Sequence, residues 1–561
     1  MQLSKLRQQL AVPKTSIQLA LLGLLGGICA ALLIIAFRWS IENIQLLYLD
    51  EVDKFSSLST WQRFALPLIG VAAILLIAKV TKFKVARTGI PFVIYRMKSF
   101  YGMMPLKNTI NQFFAGIAAL ATGFSVGREG PSVHLGAAGT SFIGSWLKLP
   151  YNSVKTLSAC GIAAGISASF NTPLAAVIFV MEVVVREYKT HVFIPVMLAS
   201  VAGAILTQAV FGTGHELTDL QLDKLSAVHY PFLVFMGGVI AAFAFAFNRQ
   251  LLEILRSFKP FKMAPRLILA GLITASVGAF VPEAMGNGLG AISFTQSVHD
   301  NANLLMTVFV CKAILTVFAI GLGVPGGIIG PILGLGMMLG TLLAMMGSVF
   351  IGDMHEYADI YGALGLAGLM AATLGAPLAA LVAVLELTQS PDIILPAMLV
   401  IVTAHVASVQ FFRNRSVFLM QLEFQKLEYQ NPPAFEALQK IGILADMNRD
   451  FVLVTSKDEN IIRNALDNAG DRPVVLREKS GLEASFYLVH YNVSLDPDPE
   501  SPFEFELIQG VDSRYTLAEP FDILKDKRDG SIYVFEDQLD NIVGVMSWTE
   551  VRSRLIKGTI Q

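Results

Sequence analysis

Charge is what this sequence has least of. Asp, Glu, Lys and Arg together make up 15% of 561 residues, while 54% are apolar. Soluble domains carry about a quarter charged residues, so the composition indicates a polytopic membrane protein before any motif is read. Cysteine is nearly absent too. Cys29, Cys160 and Cys311 are odd in number, far apart and set in apolar segments. That excludes a disulfide framework and a thiolate metal site, and leaves them as packing residues. The 8 histidines form no H-x-x-x-H pair, so no metal is expected. A formal net charge of −1 gives no case for nucleic-acid binding. The membrane segments carry no H-E-x-x-H, G-x-S-x-G or paired-aspartate motif, which argues against an enzyme and against any cofactor.

Against that background one charged stretch stands out, Gly127-Arg128-Glu129-Gly130-Pro131, followed by an apolar run from Val133. A charge at membrane depth costs about 2.5–3.5 kcal/mol on translocon scales, so it is seldom kept without a use. The glycines permit close backbone approach, and Pro131 suits a first helical turn, where no amide hydrogen bond is lost. The pattern predicts a broken segment whose helix N-terminus points into the membrane at an anion, with Glu129 as a competing carboxylate. A salt-bridged loop at the membrane surface is the alternative.

Lys5, Arg7, Lys14 and Arg38 surround a run from Ile17 to Phe37 that is too long for a signal-peptide core and reads as a retained helix. Basic residues cluster again at Lys82, Lys84, Arg87, Arg96 and Lys98, which puts that loop and the N-terminus (1–15) in the cytoplasm by the positive-inside rule. Apolar stretches follow at about 61–80, 110–124, 133–147, 154–169, 172–186, 192–211, 231–247, 265–282, 303–321, 327–350, 360–388 and 394–411. Several are too short to cross about 30 Å of hydrocarbon upright, and Gly and Pro interrupt them repeatedly.

The chain also repeats itself. Gly161 through Asn171-Thr172-Pro173-Leu174-Ala175-Ala176 leads to Glu182, and Gly365 through Gly375-Ala376-Pro377-Leu378-Ala379-Ala380 leads to Glu386. Gly130-Pro131 matches Gly330-Pro331, and Gly89-Ile90 echoes Gly288-Leu289. Two halves, about 16–212 and 231–411, therefore place a substrate site at their interface, where half-helix ends converge; their relative orientation is open at this level. Composition changes near Arg413. Residues 440–561 read as a soluble α/β domain of about 130 residues, with an acidic solvated insert at about 494–514.

These residues resemble the CLC family of chloride channels and chloride/proton exchangers over roughly 16–425. Gly127–Pro131 matches its G-[KR]-E-G-P, Thr88-Gly89-Ile90-Pro91 its G-S-G-I-P with two changes, and Gly327-Ile328-Ile329-Gly330-Pro331 its G-x-F-x-P with one. The resemblance implies an all-α polytopic inverted repeat of tilted and broken helices, a homodimer and one anion path per subunit. It implies an anion site at Thr88, Gly89, Ile90, Arg128, Glu129, Gly130, Ile328, Ile329 and Phe418, with chloride and other small anions permeant. The tail resembles a degenerate CBS pair, with Glu550 where nucleotide-binding repeats carry Asp. A dimerising or stabilising role is expected for it, without a nucleotide. A bacterial inner membrane, with both termini cytoplasmic, completes the expectation.

Four departures bear on mechanism. Thr88 stands at the family's serine and still donates one hydrogen bond, favouring chloride over nitrate. Phe418 stands at its tyrosine and lacks the hydroxyl, which implies a weaker central site. Arg87 replaces a glycine and either raises the potential at the inner mouth or faces lipid headgroups. Where exchangers carry two glutamates the chain has Glu182-Val183, and valine cannot carry a proton. Glu182 and Glu386, kept by the repeat, read as structural. The preferred expectation is a passive anion channel gated by protonation and displacement of Glu129. A coupled chloride/proton exchanger is the alternative, and an anion sensor with a vestigial pore the third reading.

Overall fold

A computed structural model describes residues 2–83, 89–213, 225–298, 301–352, 354–427, 432–480, 483–492 and 502–557. Thr88, Arg87 and the first part of the acidic insert, 494–501, lie outside the described residues. The chain divides into two compact units, one of residues 20–143 and 155–429, the other of residues 1–19, 144–154 and 430–561.

The helices run in chain order as α1 (Gln2–Ala11), α2 (Ile17–Gln45), α3 (Thr60–Val80), α4 (Gly89–Ser99), α5 (Leu106–Ala121) and α6 (Glu129–Trp146). Next come α7 (Tyr151–Phe170), α8 (Pro173–Phe179), α9 (Thr190–Phe211), α10 (Tyr230–Ser257), α11 (Met263–Phe280) and α12 (Leu289–Ser297). The second half closes with α13 (Ala302–Leu322), α14 (Ile329–Ile351), α15 (Ala358–Leu374), α16 (Pro377–Thr388), α17 (Ile394–Gln410) and α18 (Val417–Phe424). Among the described residues, 8 helices are long and apolar enough to span a membrane; α15 and α16 are shorter. The apolar run at 360–388 is therefore two helices, because Gly375 takes a left-handed φ of 68° and Pro377 then starts α16. Helix α2 runs past Phe37 to Gln45, with the Arg38–Glu42 pair (2.5 Å) one turn apart.

The repeat is physical. In the first half α6 crosses α7 so closely that a Cβ on Gly136 would lie 2.1 Å from Gly161 O; in the second, one on Gly365 would lie 2.3 Å from Gly336 O. Small residues at these matching crossings let the backbones touch, as packing inside a membrane demands. Cys160 is buried as expected, but Cys29 is exposed on the outward face of α2, so it is not a packing residue.

The other unit holds a six-stranded sheet in sequential order: β1 (Val452–Val454), β2 (Val474–Ser480), β3 (Glu483–Tyr491), β4 (Phe503–Asp512), β5 (Ser531–Phe535) and β6 (Ile542–Ser547). Two copies of β-α-β-β make it. In each the first pair is parallel and the second antiparallel, and β3 joins β4 antiparallel. The copies carry α20 (Glu459–Ala469) and α21 (Ala518–Leu524), flanked by α19 (Pro433–Leu438) and α22 (Trp548–Lys557). The insert boundary needs correction: 494–514 includes β4, whose Phe503 and Val511 are buried core positions. The segment 1–15 is also more than a terminus. Ser153 Oγ donates to Leu10 O (2.7 Å), Gly442 N to Ala11 O (2.8 Å), and Arg7 pairs with Glu536 (2.8 Å). The amphipathic α1 thus belongs with the tail, because its last carbonyls find donors there.

Candidate functional site

The two Gly-Pro motifs meet face to face. Gly127 N donates to Gly327 O (2.7 Å) and Gly327 N to Gly127 O (2.6 Å), an antiparallel bridge between the two halves. Glycine is required here by contact: a Cβ on Gly130 would lie 2.5 Å from Gly326 O. The bridge aims the starts of α6 and α14 at the same region. Each start carries amides with no partner inside its own helix and the positive end of a helix dipole, the usual backbone receptor for an anion.

A carboxylate occupies that receptor. Glu129 is 1% exposed, and its Oε1 accepts from Gly330 N at 2.8 Å. A Cβ at Gly127 or Gly327 would lie 1.9 or 2.4 Å from Glu129 Oε2, so the side chain lies folded across both glycines. The buried Glu129 carboxyl group of one half therefore rests on a helix-start amide of the other.

Next to this lies a cavity of about 280 Å³ that gathers five of the predicted residues: Gly89, Ile90, Gly130, Ile328 and Phe418. At about 30 Å³ per water it holds an anion and several waters. Gly89, with φ of 76°, starts α4 at its edge. Gly288 does the same for α12 in the second half, with φ of 102°, so the faint echo between these positions is a repeated left-handed helix start. Phe418 is 2% exposed and presents a ring where a hydroxyl was lacking; Phe179 packs edge-on against it at 6.5 Å. Ile329 lies instead against a smaller cavity of about 40 Å³ that also touches Glu129. Arg128 lines neither cavity, and its guanidinium stacks 5.1 Å over the Phe170 ring. It was expected among the anion ligands, and among the described residues it is found packed on an aromatic ring.

Four polar residues of the larger cavity had no motif to announce them: Lys259, Arg266, Gln421 and Gln425. Lys259 and Arg266 flank the α10–α11 connection, and no carboxylate is among the described lining residues. Arg266 is steadied by Gly321 O (3.3 Å) and Lys259 by the Phe424 ring (5.0 Å). Gln421 lies one helical turn after Phe418, on the same face of α18. Its amide offers N–H donors beside the phenyl ring. Helical spacing was the only signal that could have found it.

Glu182 and Glu386 exchange caps. Glu386 accepts from Leu174 N (2.8 Å) and Ala175 N (2.7 Å) at the start of α8, and Glu182 from Leu378 N (3.2 Å) and Ala379 N (2.7 Å) at the start of α16. Each half satisfies the orphan amides of the other. Val183 is buried in the π-helical turn Val180–Val185 that follows α8. In the tail, Glu550 Oε2 accepts from Ser547 N (2.7 Å) and Ser547 Oγ (3.1 Å), and Glu519 does the same for Thr516, so both carboxylates close capping boxes.

Comparison with known proteins follows this geometry. Residues 69–409 match the family described as voltage gated chloride channel. The chain is 27% identical over 436 residues to the H(+)/Cl(−) exchange transporter ClcA of Cronobacter sakazakii, covering 74% of this chain and 91% of that protein. It is 26% identical over 403 residues to the voltage-gated ClC-type chloride channel ClcB of Escherichia coli, covering 70% and 96%. Among solved structures, a slow cyanobacterial Cl−/H+ antiporter superposes with a TM-score of 0.67 at 20% identity, covering 74% of this chain and 99% of that one.

Proposed function

Because the chain belongs to the voltage gated chloride channel family, we propose that it is a passive chloride channel whose gate is the Glu129 carboxylate. Anion transport by a multi-pass membrane protein comes with the family. The channel mechanism is our reading, and the observation that carries it is Glu129 Oε1 on Gly330 N, a carboxylate seated on anion-receptor amides. Chloride reaches the gate through the cationic cavity lined by Lys259 and Arg266, with Ile90, Ile328 and Gln421 facing it. Protonation removes the charge that holds the carboxylate on its amides, and a competing anion displaces it by mass action. Thr88, the residue before Gly89 in the sequence, is added to the site on its motif position alone.

Val183 supports conduction without proton coupling, since an aliphatic side chain cannot relay a proton to Glu129. A second reading, coupled chloride/proton exchange, has its own observation. The cavity of about 40 Å³ against Glu129 also touches Thr172 and has room for a water. Relatives in the family carry both activities by name. We further assign the protein to a bacterial inner membrane as a homodimer with a pore in each subunit and cytoplasmic termini. The tail is read as a stabilising CBS-like module that binds no nucleotide, because Glu550 is committed to a helix cap.

The deciding experiment is chloride efflux from proteoliposomes of purified protein with external pH recorded together. Fast efflux without proton movement under a chloride gradient is expected. Uphill proton pumping driven by chloride would replace the channel reading with exchange, and negligible anion flux would refute both.

A further inference from the structure

We propose that the pocket between the end of α3, α4 and the start of α5 binds the headgroup of an anionic membrane phospholipid. Its setting is the most one-sided charge distribution in the chain. Between Asp53 and Glu129 there is no acidic residue, while ten lysines and arginines occur. Three of them, Lys82, Arg96 and Lys107, line one cavity of about 350 Å³ together with Thr81 and Asn108, and no carboxylate is among its described lining residues. Three cations around one concavity repel each other unless an anion sits among them.

The pocket is also built. Arg96 Nε donates to Met103 O (2.6 Å), and its guanidinium lies 3.9 Å over the Phe100 ring, so the central cation is held rather than waving in solvent. Aromatic rings of Phe92 and Tyr95 form the floor. A planar guanidinium with remaining donors, flanked by two flexible ammonium groups, suits a phosphodiester.

The flanks select a lipid over a soluble phosphate. Leu76 and Val80, one turn apart on α3, are 62% and 74% exposed immediately before Thr81. Leu106, Ile110 and Phe114, spaced by four on α5, are exposed immediately after Pro105. In a membrane these two apolar stripes face acyl chains, and the pocket lies at the end of both. A phosphate seated on the cations thus has its two chains directed along existing apolar surface. Basic pockets between helices at the headgroup level are recognised lipid sites on electrostatic grounds.

The test is a lipid titration of the full-length protein in detergent, followed by native mass spectrometry, with phosphatidylglycerol and phosphatidylcholine of identical chains. Preferential retention of phosphatidylglycerol is expected. The double variant Lys82→Gln/Lys107→Gln removes two exposed cations remote from the anion cavity, and should weaken that retention about thirtyfold while leaving phosphatidylcholine unchanged. Equal binding of the two lipids, or an undiminished preference in the double variant, overturns the proposal. Inorganic phosphate forms the third arm: if it displaces phosphatidylglycerol at equimolar concentration, the site is one for free phosphate and the lipid assignment fails.

Discussion

Replacing Glu129 by glutamine keeps the shape of the gate and removes its charge. In the protein as it stands, chloride must compete with a carboxylate whose Oε1 accepts from Gly330 N at 2.8 Å. A hydrogen bond to a charged acceptor is worth about 1.5–3 kcal/mol, and each 1.4 kcal/mol is tenfold in an equilibrium. Weakening that competitor should raise apparent chloride affinity at the gate by about ten- to a hundredfold. The pH dependence has a definite sign. Acid protonates the carboxyl, the neutral group leaves the amides more readily, and flux through the native protein rises as pH falls. In Glu129→Gln there is no proton to gain, so flux should be high and flat from acid to neutral pH. The assay is chloride efflux from proteoliposomes at several pH values, paired with calorimetric chloride titration. A variant that keeps the native pH profile would refute the gating role outright. A flat profile with unchanged chloride affinity would refute the competition argument while sparing the proton gate.

Other perturbations test the rest of the site. Phe418→Tyr places a hydroxyl at a position 2% exposed beside the cavity, and should tighten chloride binding about tenfold by calorimetry. Gln421→Leu removes the neighbouring amide and should weaken chloride by a comparable factor; no change in either variant would discard this face of α18 as a ligand. Glu386→Ala strips the cap from Leu174 N and Ala175 N, and should lower unfolding stability by about 1–3 kcal/mol without altering pH dependence. Denaturant titration in detergent would reveal it. Gly130→Ala puts a methyl 2.5 Å from Gly326 O, a contact that cannot be relieved without parting the two halves, so loss of folded protein or of flux is expected on size-exclusion and efflux measurements.

The buried Glu129 and its helix start were legible in the sequence because a charge among apolar residues is a local signal, and glycine beside proline marks a helix start. The repeat was legible for a similar reason: Pro173 to Glu182 and Pro377 to Glu386 keep one spacing. What the repeat could not convey is contact. It marked Glu182 and Glu386 as equivalent, yet only the fold shows that each caps the helix of the other half. Lys259, Arg266 and Gln421 escaped because a cavity assembled from distant segments leaves no pattern in any one of them. The tail misled through composition. Glu504 and Glu506 made the segment after Pro502 look like solvated insert, although alternation with Phe503, Phe505 and Leu507 is the period of a strand, and β4 is there.

The same contrast bears on channel against exchanger. The cavity of about 40 Å³ against Glu129 is lined mostly by apolar side chains, among them Ile166, Phe170, Phe179, Leu333 and Leu387, with Thr172 as the polar side chain beside Glu129. A buried water needs two to four polar partners, and each link of a proton wire must find them. The space of about 40 Å³ has room for one such water, and Thr172 and Glu129 are the polar side chains that line it. Anions meet the opposite landscape, with two cations, the backbone amides of three helix starts and the Gln421 amide around a cavity several times larger. The asymmetry lies in the partners rather than in the width of either path. It is the physical reason to expect chloride to move without a proton in this chain, even though Glu129 is the residue an exchanger would protonate.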